Sequence, residues 1–310
     1  MKKSVRKSGF VAIIGRPNVG KSTIINALIG TKISITGPKA QTTRNKILGI
    51  LTEDNTQIVF VDTPGMLKPT NKLGQFMKKS IETALDGNDL ILIVVDGTDI
   101  KQADYDLIES FEGSEVPVFV VINKTDIATF EKVYPKLNKL NEYRFIDEFV
   151  SISAKTGKNL DELKAKIIER LPEGEFMFDE GDITDKSVRF ISAEIVREKA
   201  LLYLQQEIPH GIAVDIPRFD EEEGKVVVDA DIIASKENHK QIIIGKKGEM
   251  LKKIGTSART EIENLVGKKV FLNLFVKVKE NWQDSQSSLN ELGYNKKDIW
   301  FFDNDFGQIC

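Results

Sequence analysis

A glycine-rich loop near the start of the chain constrains its fold more than any other feature. The loop reads Gly15-Arg-Pro-Asn-Val-Gly20-Lys21-Ser22 and matches the pattern G-x-x-x-x-G-K-S/T. In a chain with this glycine content, the pattern is expected only about 0.02 times by chance. It follows an apolar segment at residues 10–15 and precedes a helical pattern at 22–29. The sequence therefore predicts a strand, a phosphate-binding loop and a helix whose amino terminus faces the phosphates.

Three more motifs follow in a fixed order: Asp62-Thr63-Pro64-Gly65, Asn123-Lys124-Thr125-Asp126 and Ser153-Ala154-Lys155. Asp62 ends an apolar segment and is placed to bind Mg²⁺, and the Gly65 N–H can sense a γ-phosphate. The Asp126 carboxylate can accept hydrogen bonds from N1–H and the exocyclic amine of guanine, an arrangement that adenine lacks. The four motifs together predict a site for a guanine nucleotide.

The expected nucleotide contacts come from all four motifs. Lys21 is expected to bridge the β- and γ-phosphates, and Asn123 with the Ala154 N–H to serve the remaining edge of the base. Lys124 and Lys155 are expected to pack over the ring and to brace the phosphate loop. The predicted nucleotide-binding residues are Gly15, Arg16, Pro17, Asn18, Val19, Gly20, Lys21, Ser22, Thr23, Asp62, Thr63, Pro64, Gly65, Asn123, Lys124, Asp126, Ser153, Ala154 and Lys155.

The segment Gln41-Thr42-Thr43-Arg44 supplies the candidate switch threonine. One of its threonines is expected to close on Mg²⁺ and the γ-phosphate only in the triphosphate state. We favour Thr43, with Thr42 second; the alternative for either is an ordinary surface-loop threonine. The predicted Mg²⁺ ligands are Ser22, Thr43 and Asp62. The predicted contributors to hydrolysis are Thr42, Thr43, Asn18 and Gly65.

Two residues bear on the rate of hydrolysis. Met66 stands where many GTPases place a glutamine that orients the attacking water, so slow hydrolysis is expected. Asn18 could supply an oxygen ligand for K⁺, which would act where an arginine finger does. The alternative for Asn18 is a role in forming the turn.

Apolar segments alternate with helical patterns from residue 9 to about residue 171. This alternation predicts a doubly wound α/β sheet of the P-loop NTPase type in a domain at residues 1–172. The nucleotide motifs then fall at the carboxyl ends of strands, where open α/β sheets bind ligands. Predicted strands lie at 10–15, 57–62, 90–96, 116–123 and 149–153, and predicted helices at 22–29, 73–84, 103–112, 130–140 and 159–170.

A second domain is predicted at residues 186–282, after an acidic linker at 173–185. Its pattern is α-β-β-α-α-β, typical of an α+β fold. Phe271, Phe275 and Trp282 are expected to be packing residues. Residues 283–310 form a tail to which the sequence assigns no role. Predicted helices lie at 186–207, 241–255 and 257–266, and predicted strands at 210–219, 225–234 and 270–278.

Charge is concentrated in the second domain. The formal net charge of the chain is −3, yet residues 236–279 carry eleven basic and four acidic side chains. Within this stretch a G-x-x-G turn stands between two helical patterns, as in a KH module that clamps about four nucleotides of single-stranded RNA. The alternative is a helical hairpin with solvated lysines. The predicted RNA-binding residues are Ile244, Gly245, Lys246, Lys247, Gly248, Lys252 and Lys253.

Other features exclude several classes of protein. The longest apolar runs, at residues 90–95 and 116–122, are far shorter than the roughly 18 residues that cross a bilayer. The basic start leads into a predicted core strand, so we expect no secretory signal. One cysteine, Cys310, allows no disulfide framework within the chain. These features favour a cytoplasmic protein.

The motifs together resemble the Era family of bacterial GTPases, from about residue 9 to residue 294. Further family-like segments are Lys32-Ile-Ser-Ile-Thr36, Ile183-Thr-Asp185, Ile195-Val-Arg-Glu-Lys199 and Val276-Lys-Val-Lys279. The resemblance implies a GTPase domain followed by a type II KH domain that binds near the 3′ end of 16S ribosomal RNA and acts in assembly of the 30S subunit. It also implies a cytoplasmic location with some peripheral membrane contact, for which the sequence itself supplies no anchor, and a hydrophobic residue at position 66. We expect the protein to be a monomer.

Two other functions are compatible with the motifs. In the first, the GTPase acts mainly on a protein or membrane partner in signalling, and the basic module is a docking surface for that partner. In the second, the chain modifies RNA at the expense of GTP, which is disfavoured because no second catalytic constellation is present. The expected cofactors are Mg²⁺ and, through Asn18, K⁺.

Overall fold

Two compact units make up the chain. The structure is a computed structural model that describes residues 5–37, 39, 42–66, 69–129, 136, 138–204 and 211–294. The first unit takes in the described parts of Met1–Thr36, Thr43–Leu67 and Lys78–Asp185. The second takes in those of Gly37–Thr42, Lys68–Met77 and Lys186–Cys310. No described helix has the length and apolar character needed to cross a membrane.

The first unit is built on a six-stranded sheet in the order β2-β3-β1-β4-β5-β6. Strand β2 runs antiparallel to β3, whereas the other neighbours are parallel. The strands are β1 (Lys7–Ile14), β2 (Ile47–Glu53), β3 (Thr56–Asp62), β4 (Leu90–Asp96), β5 (Val118–Asn123) and β6 (Glu148–Ser151). The helices with described bounds are α1 (Lys21–Ile29), α2 (Lys72–Ala84), α3 (Gln102–Glu109) and α4 (Leu160–Arg170). The doubly wound α/β prediction is confirmed.

Strand β4 illustrates why the sheet forms. Six consecutive residues, Leu90–Val95, are buried, as expected of a strand covered by helices on both faces. Strand β2 was not predicted, although five of its residues are buried. It pairs with β3 across the short turn at residues 54–55 and forms the edge of the sheet. The predicted helix at 130–140 lies mostly outside the described residues.

The second unit contains a three-stranded sheet in the order β7-β8-β9, with β7 antiparallel and β9 parallel to the central strand. Its strands are β7 (Ile212–Glu222), β8 (Lys225–Ala234) and β9 (Lys269–Val278). Its helices are α5 (Val188–Tyr203), α6 (Glu237–Ile244), α7 (Glu249–Val266) and α8 (Gln286–Glu291). The order of elements from α5 to β9 is the predicted α-β-β-α-α-β.

One predicted helix boundary in this unit is wrong. The sequence analysis ended a helix at residue 255, yet α7 runs unbroken from Glu249 to Val266. The break lies at the G-x-x-G turn, between α6 and α7, where the sequence also places a turn between two helical patterns. Gly255 has a packing role within α7, because a Cβ there would lie 3.2 Å from Leu274 Cδ1 on β9.

The packing of three aromatic residues was also predicted, with mixed success. Trp282 is fully buried, stacks on Tyr294 with 5.9 Å between ring centroids, and donates its indole N–H to the Gly211 carbonyl. Phe271 and Phe275 are 57% and 51% exposed, so the expectation that they are packing residues is wrong. Alternate residues of β9 face opposite sides of the sheet, and these two point away from the helices.

The segment 173–185, predicted to be a linker, is held on the first unit. Gln57 of β3 is fully buried, and its Oε1 accepts hydrogen bonds from the Met177 and Phe178 N–H groups at 2.8 and 3.0 Å. Its Nε2 donates to the Phe178 carbonyl at 2.9 Å. At the end of the segment, Asp185 Oδ1 accepts the Leu48 N–H of β2 at 2.8 Å.

Candidate nucleotide site and basic groove

The phosphate loop lies between β1 and α1, as predicted. Gly20 precedes α1 with φ of 105°, and a Cβ at this position would lie 2.2 Å from Asn123 Nδ2. A larger residue would therefore meet both backbone strain and a collision with the base-recognition motif. The loop carries its N–H groups at the start of a helix, which is the geometry that binds phosphate.

Lys21 is buried beside the loop. Its Nζ donates to the carbonyls of Gly15 and Arg16, each at 3.1 Å. Burial lowers the pKa of Lys21 to about 8, and the charge of Asp62 opposes that shift. The ammonium group is thus fixed among loop carbonyls, where a polyphosphate would provide a strong counter-charge.

Three predicted Mg²⁺ ligands are brought together. Ser22 Oγ lies 2.9 Å from Thr43 Oγ1 and donates to Asp62 Oδ2 at 2.8 Å. Asp62 is fully buried, burial raises its pKa, and its Oδ1 has no hydrogen-bond partner among the residues that the structure describes. Two hydroxyls and a carboxylate oxygen are hard donors of the kind that Mg²⁺ prefers. The residues therefore fit a magnesium ion.

The two switch threonines differ in their surroundings. The Thr43 side chain is buried and lies beside Ser22, whereas the Thr42 hydroxyl donates to the Lys39 carbonyl at 2.6 Å. Thr43 therefore lies beside a second predicted Mg²⁺ ligand, and its choice over Thr42 as the switch threonine stays a prediction.

Ser34 is a site residue that sequence reasoning missed. Its hydroxyl donates to Asp62 Oδ2 at 2.6 Å, and its side chain is almost fully buried. Asp62 Oδ2 therefore accepts two hydroxyl bonds, which orient the carboxylate and leave Oδ1 for a cation. The segment Lys32-Ile-Ser-Ile-Thr36 resembles the family in sequence, but nothing in it indicates contact with Asp62.

The base-recognition motif braces the phosphate loop. Asn123 Nδ2 donates to the Val19 carbonyl at 2.9 Å, and Lys124 Nζ donates to the Asn18 carbonyl at 2.7 Å. Asn123 Oδ1 accepts the Ala154 N–H at 3.0 Å, so these groups pair with each other. The prediction that Asn123 and the Ala154 N–H both serve the edge of the base does not take this pairing into account.

Asp126 is available for the base. Its carboxylate is on an exposed residue and accepts the Ser153 hydroxyl at 2.7 Å through Oδ1. This bond orients the carboxylate while leaving acceptor capacity on Oδ2. Lys155 is exposed, and its contact with the ring and the phosphate loop stays a prediction.

The Asp62-Thr63-Pro64-Gly65 turn packs directly on the phosphate loop. The Thr63 hydroxyl donates to the Ile13 carbonyl at 2.8 Å, and a Cβ on Gly65 would lie 2.9 Å from Pro17 Cα. Met66 follows with its side chain 40% exposed. Asn18 is exposed and has φ of 65°, which suits an asparagine in a turn. Thr23 lies in α1, next to Ser22.

The second unit contains a groove of about 450 Å³ beside the G-x-x-G turn. Lys246 and Lys247 are exposed on that turn, and Lys252 lines the groove itself. Lys253 instead places its Nζ 4.3 Å from the centre of the Tyr203 ring. Arg259, which the sequence analysis missed, also lines the groove. The lining residues are Gly248, Leu251, Lys252, Gly255, Thr256, Arg259, Leu272 and Leu274.

A glycine pair in this turn allows a stability test. Gly245 has φ of 73° and ψ of 176°, and a Cβ there would lie 2.7 Å from Met250 Cβ; around Gly248 there is open space. We expect Gly245→Ala to destabilise the second unit by about 3 kcal/mol and Gly248→Ala by about 1 kcal/mol. Urea unfolding followed by tryptophan fluorescence would measure both, since Trp282 and Trp300 are the two tryptophans. Equal losses would contradict this interpretation of the turn.

Comparison with known proteins extends these observations. A family described as "50S ribosome-binding GTPase" matches residues 10–124, and a KH domain family matches residues 207–283. GTPase Era of Clostridium acetobutylicum is 48% identical over 93% of this chain and 98% of its own length. A GTPase Era of Clostridium botulinum is 49% identical over 94% of this chain and 99% of its own length.

Two solved structures are similar over nearly the whole chain. One is Era in complex with MgGDPNP and nucleotides 1506–1542 of 16S ribosomal RNA, with a TM-score of 0.89 and 42% identity over 93% of this chain and 99% of that chain. The other is a single-residue variant of Aquifex aeolicus Era bound to GDP and AlF₄⁻, with a TM-score of 0.88 and the same identity and coverage. With relatives of this identity and coverage, the chain belongs to the Era family of GTPases.

Proposed function

We propose that this chain is a GTP-hydrolysing switch whose KH unit binds the 3′ region of small-subunit ribosomal RNA during assembly of the 30S subunit. The observation that carries the proposal is the basic groove of the second unit. Exposed Lys246 and Lys247 stand on the turn that ends at Gly248, and Gly248 lines the groove. Cations at such a turn attract the RNA backbone, while the apolar wall of Leu272 and Leu274 suits bases.

The nucleotide half of the proposal rests on the first unit. Lys21 and the loop amides would hold the phosphates, and Asp126 would read guanine. Ser22, Thr43 and Asp62 would hold Mg²⁺, which when bound offsets the negative charge that develops on the phosphoryl oxygens. The similar Era structure with MgGDPNP and 16S ribosomal RNA supports joining both activities in one chain.

Charge reversal at the turn tests the RNA half. We expect Lys246→Glu together with Lys247→Glu to weaken binding to a 3′ segment of 16S ribosomal RNA by about 100-fold, because two attractive phosphate contacts become repulsive. GTP hydrolysis should stay at the wild-type rate. Fluorescence anisotropy at two salt concentrations would measure the affinity. The slope of log affinity against log salt concentration should become shallower by about two, one for each phosphate contact that is lost.

A matched control removes the same charge from the same unit. Lys268 and Lys269 are both exposed and lie outside the groove lining, so Lys268→Glu with Lys269→Glu should retain most of the affinity. Coupling between the sites is tested by measuring wild-type affinity with GDP and with a non-hydrolysable GTP analogue. Equal RNA affinity in the two states would rule out the switch.

Potassium is part of the proposal. Asn18 would offer an oxygen to a K⁺ ion beside the phosphates. The positive charge of that ion would act where other GTPases use an arginine finger. We expect hydrolysis to run at least about ten-fold faster in KCl than in NaCl, and Asn18→Ala to remove the difference. Identical rates in both salts would contradict this role. The cytoplasmic location, the monomeric state and the contact with the inner face of the membrane stay predictions.

A further inference from the structure

A carboxylate buried behind the phosphate loop has no part in the functions assigned so far. Asp104 of α3 is fully buried, and each of its oxygens has a separate partner. Oδ1 accepts the Arg16 Nε–H at 2.7 Å, and Oδ2 accepts the Lys101 N–H at 2.8 Å. The second bond caps the first turn of α3, whereas the first bond reaches 88 residues back along the chain to the loop.

Arg16 is held at two points. Besides the bond to Asp104, its Nη2 donates to the Asp99 carbonyl at 2.8 Å. The hydrogen bond to Asp104 raises the pKa of Arg16. A guanidinium paired in this way with a buried carboxylate satisfies a charge that would otherwise be costly to bury. The side chain is therefore fixed on α3.

Arg16 also connects Asp104 to the residue expected to bridge the phosphates. The Arg16 carbonyl accepts Lys21 Nζ at 3.1 Å, alongside the carbonyl of Gly15. The position of this peptide group thus helps to aim the ammonium of Lys21. A shift of the loop would therefore move the Lys21 ammonium away from the phosphates. A misplacement of about 1 Å in an active site can reduce the rate by around 100-fold.

We propose that Asp104 is a positioning residue for the bound polyphosphate, acting through Arg16, and that Arg16 serves the nucleotide through its backbone and not through its guanidinium. The inference rests on the proposed GTPase function. The two oxygens of the carboxylate have different roles. Oδ2 stabilises the first turn of α3, and Oδ1 holds the phosphate loop in position through Arg16. This arrangement also changes the prediction for Arg16, whose side chain becomes a brace instead of a phosphate ligand.

Affinities for GDP and guanosine test the proposal, measured by competition with a fluorescent GDP analogue. Asp104→Asn keeps an oxygen that can cap the helix but removes the negative charge that pairs with Arg16. Arg16→Met removes the guanidinium, which is the more exposed partner of the pair. We expect each to weaken GDP binding by about ten-fold, as for one charged hydrogen bond, and to leave guanosine binding unchanged. The double variant should bind GDP no more weakly than either single variant.

The control is Asp106→Asn in the same helix. Asp106 is exposed, and its carboxylate accepts the Gln102 side-chain amide at 2.8 Å, away from the phosphate loop. The GDP affinity of the Asp106→Asn protein should therefore equal that of the wild type. An Asp104→Asn protein with lower thermal stability but a wild-type ratio of GDP to guanosine affinity would overturn the inference. So would an additive double variant, since that would give Arg16 its own phosphate contact. Failure of the wild-type chain to bind GDP would instead overturn the proposed function.

Discussion

Replacing Asp126 by asparagine is expected to reduce GTP affinity by about 1,000-fold and to make xanthosine triphosphate the preferred nucleotide. The carboxylate can accept from both guanine donors, N1–H and the exocyclic amine. An asparagine presents an NH₂ group to that amine, leaving two donors face to face. Xanthine has a carbonyl oxygen where guanine has the amine, so the amide of asparagine is complementary to it.

The geometry around Asp126 favours a clean exchange of specificity. Its Oδ1 accepts the Ser153 hydroxyl at 2.7 Å, a bond that the asparagine Oδ1 can retain. The new NH₂ group would then occupy the position of Oδ2, facing the base. Competition of GTP and xanthosine triphosphate against a fluorescent nucleotide would measure the exchange.

The matched control for this variant is Asp54→Asn. Asp54 is exposed in the turn between β2 and β3 and has φ of 49°, a conformation that asparagine accepts. The control should keep the wild-type preference for GTP. A persistent preference for GTP in the Asp126→Asn protein would mean that the base is read by another group.

Removing the Thr43 hydroxyl is expected to slow GTP hydrolysis by about 100-fold while leaving GDP affinity within about three-fold of the wild type. Thr43 Oγ1 lies 2.9 Å from Ser22 Oγ, so it can join Ser22 at a magnesium ion. A ligand that engages the metal only in the triphosphate state contributes to the transition state and not to the GDP complex. Single-turnover hydrolysis and GDP titration would measure the two effects.

Thr42→Ala provides the comparison for Thr43→Ala. Thr42 donates its hydroxyl to the Lys39 carbonyl at 2.6 Å, so its loss should change the rate by less than about three-fold. Thr43→Ser retains the oxygen and should recover most of the rate. A larger defect in Thr42→Ala than in Thr43→Ala would reverse the assignment of the switch threonine.

The parts of the site that lie in local patterns could be predicted from the sequence. Each of the four motifs occupies a few consecutive residues, because backbone conformation and ligand contact are set there over a short stretch. The doubly wound sheet followed from the alternation of continuous apolar strands with helical periodicity. The G-x-x-G turn was found in the same way.

The rest depends on residues that meet only through the fold. Ser34 lies 28 residues from Asp62, and Asp104 lies 88 residues from Arg16, with no spacing rule to connect them. Arg259 joins the groove because α7 continues through residue 256, where the sequence predicts a break between two helices. A glycine packed against a neighbouring strand looks the same in sequence as one that ends a helix.

The anchored segment at 173–185 determines where the gene can be divided. A shortened gene that stops at residue 172 would encode Gln57 without Met177 and Phe178. Its Oε1 would lose both of these N–H donors, whereas its Nε2 would keep only the Thr52 hydroxyl of its two acceptors. Each buried polar group left unpaired costs about 1–3 kcal/mol, a large part of the stability of an ordinary domain. Expression of the GTPase half on its own should therefore include the chain through Asp185, so that the encoded protein retains the partners of the Gln57 carboxamide.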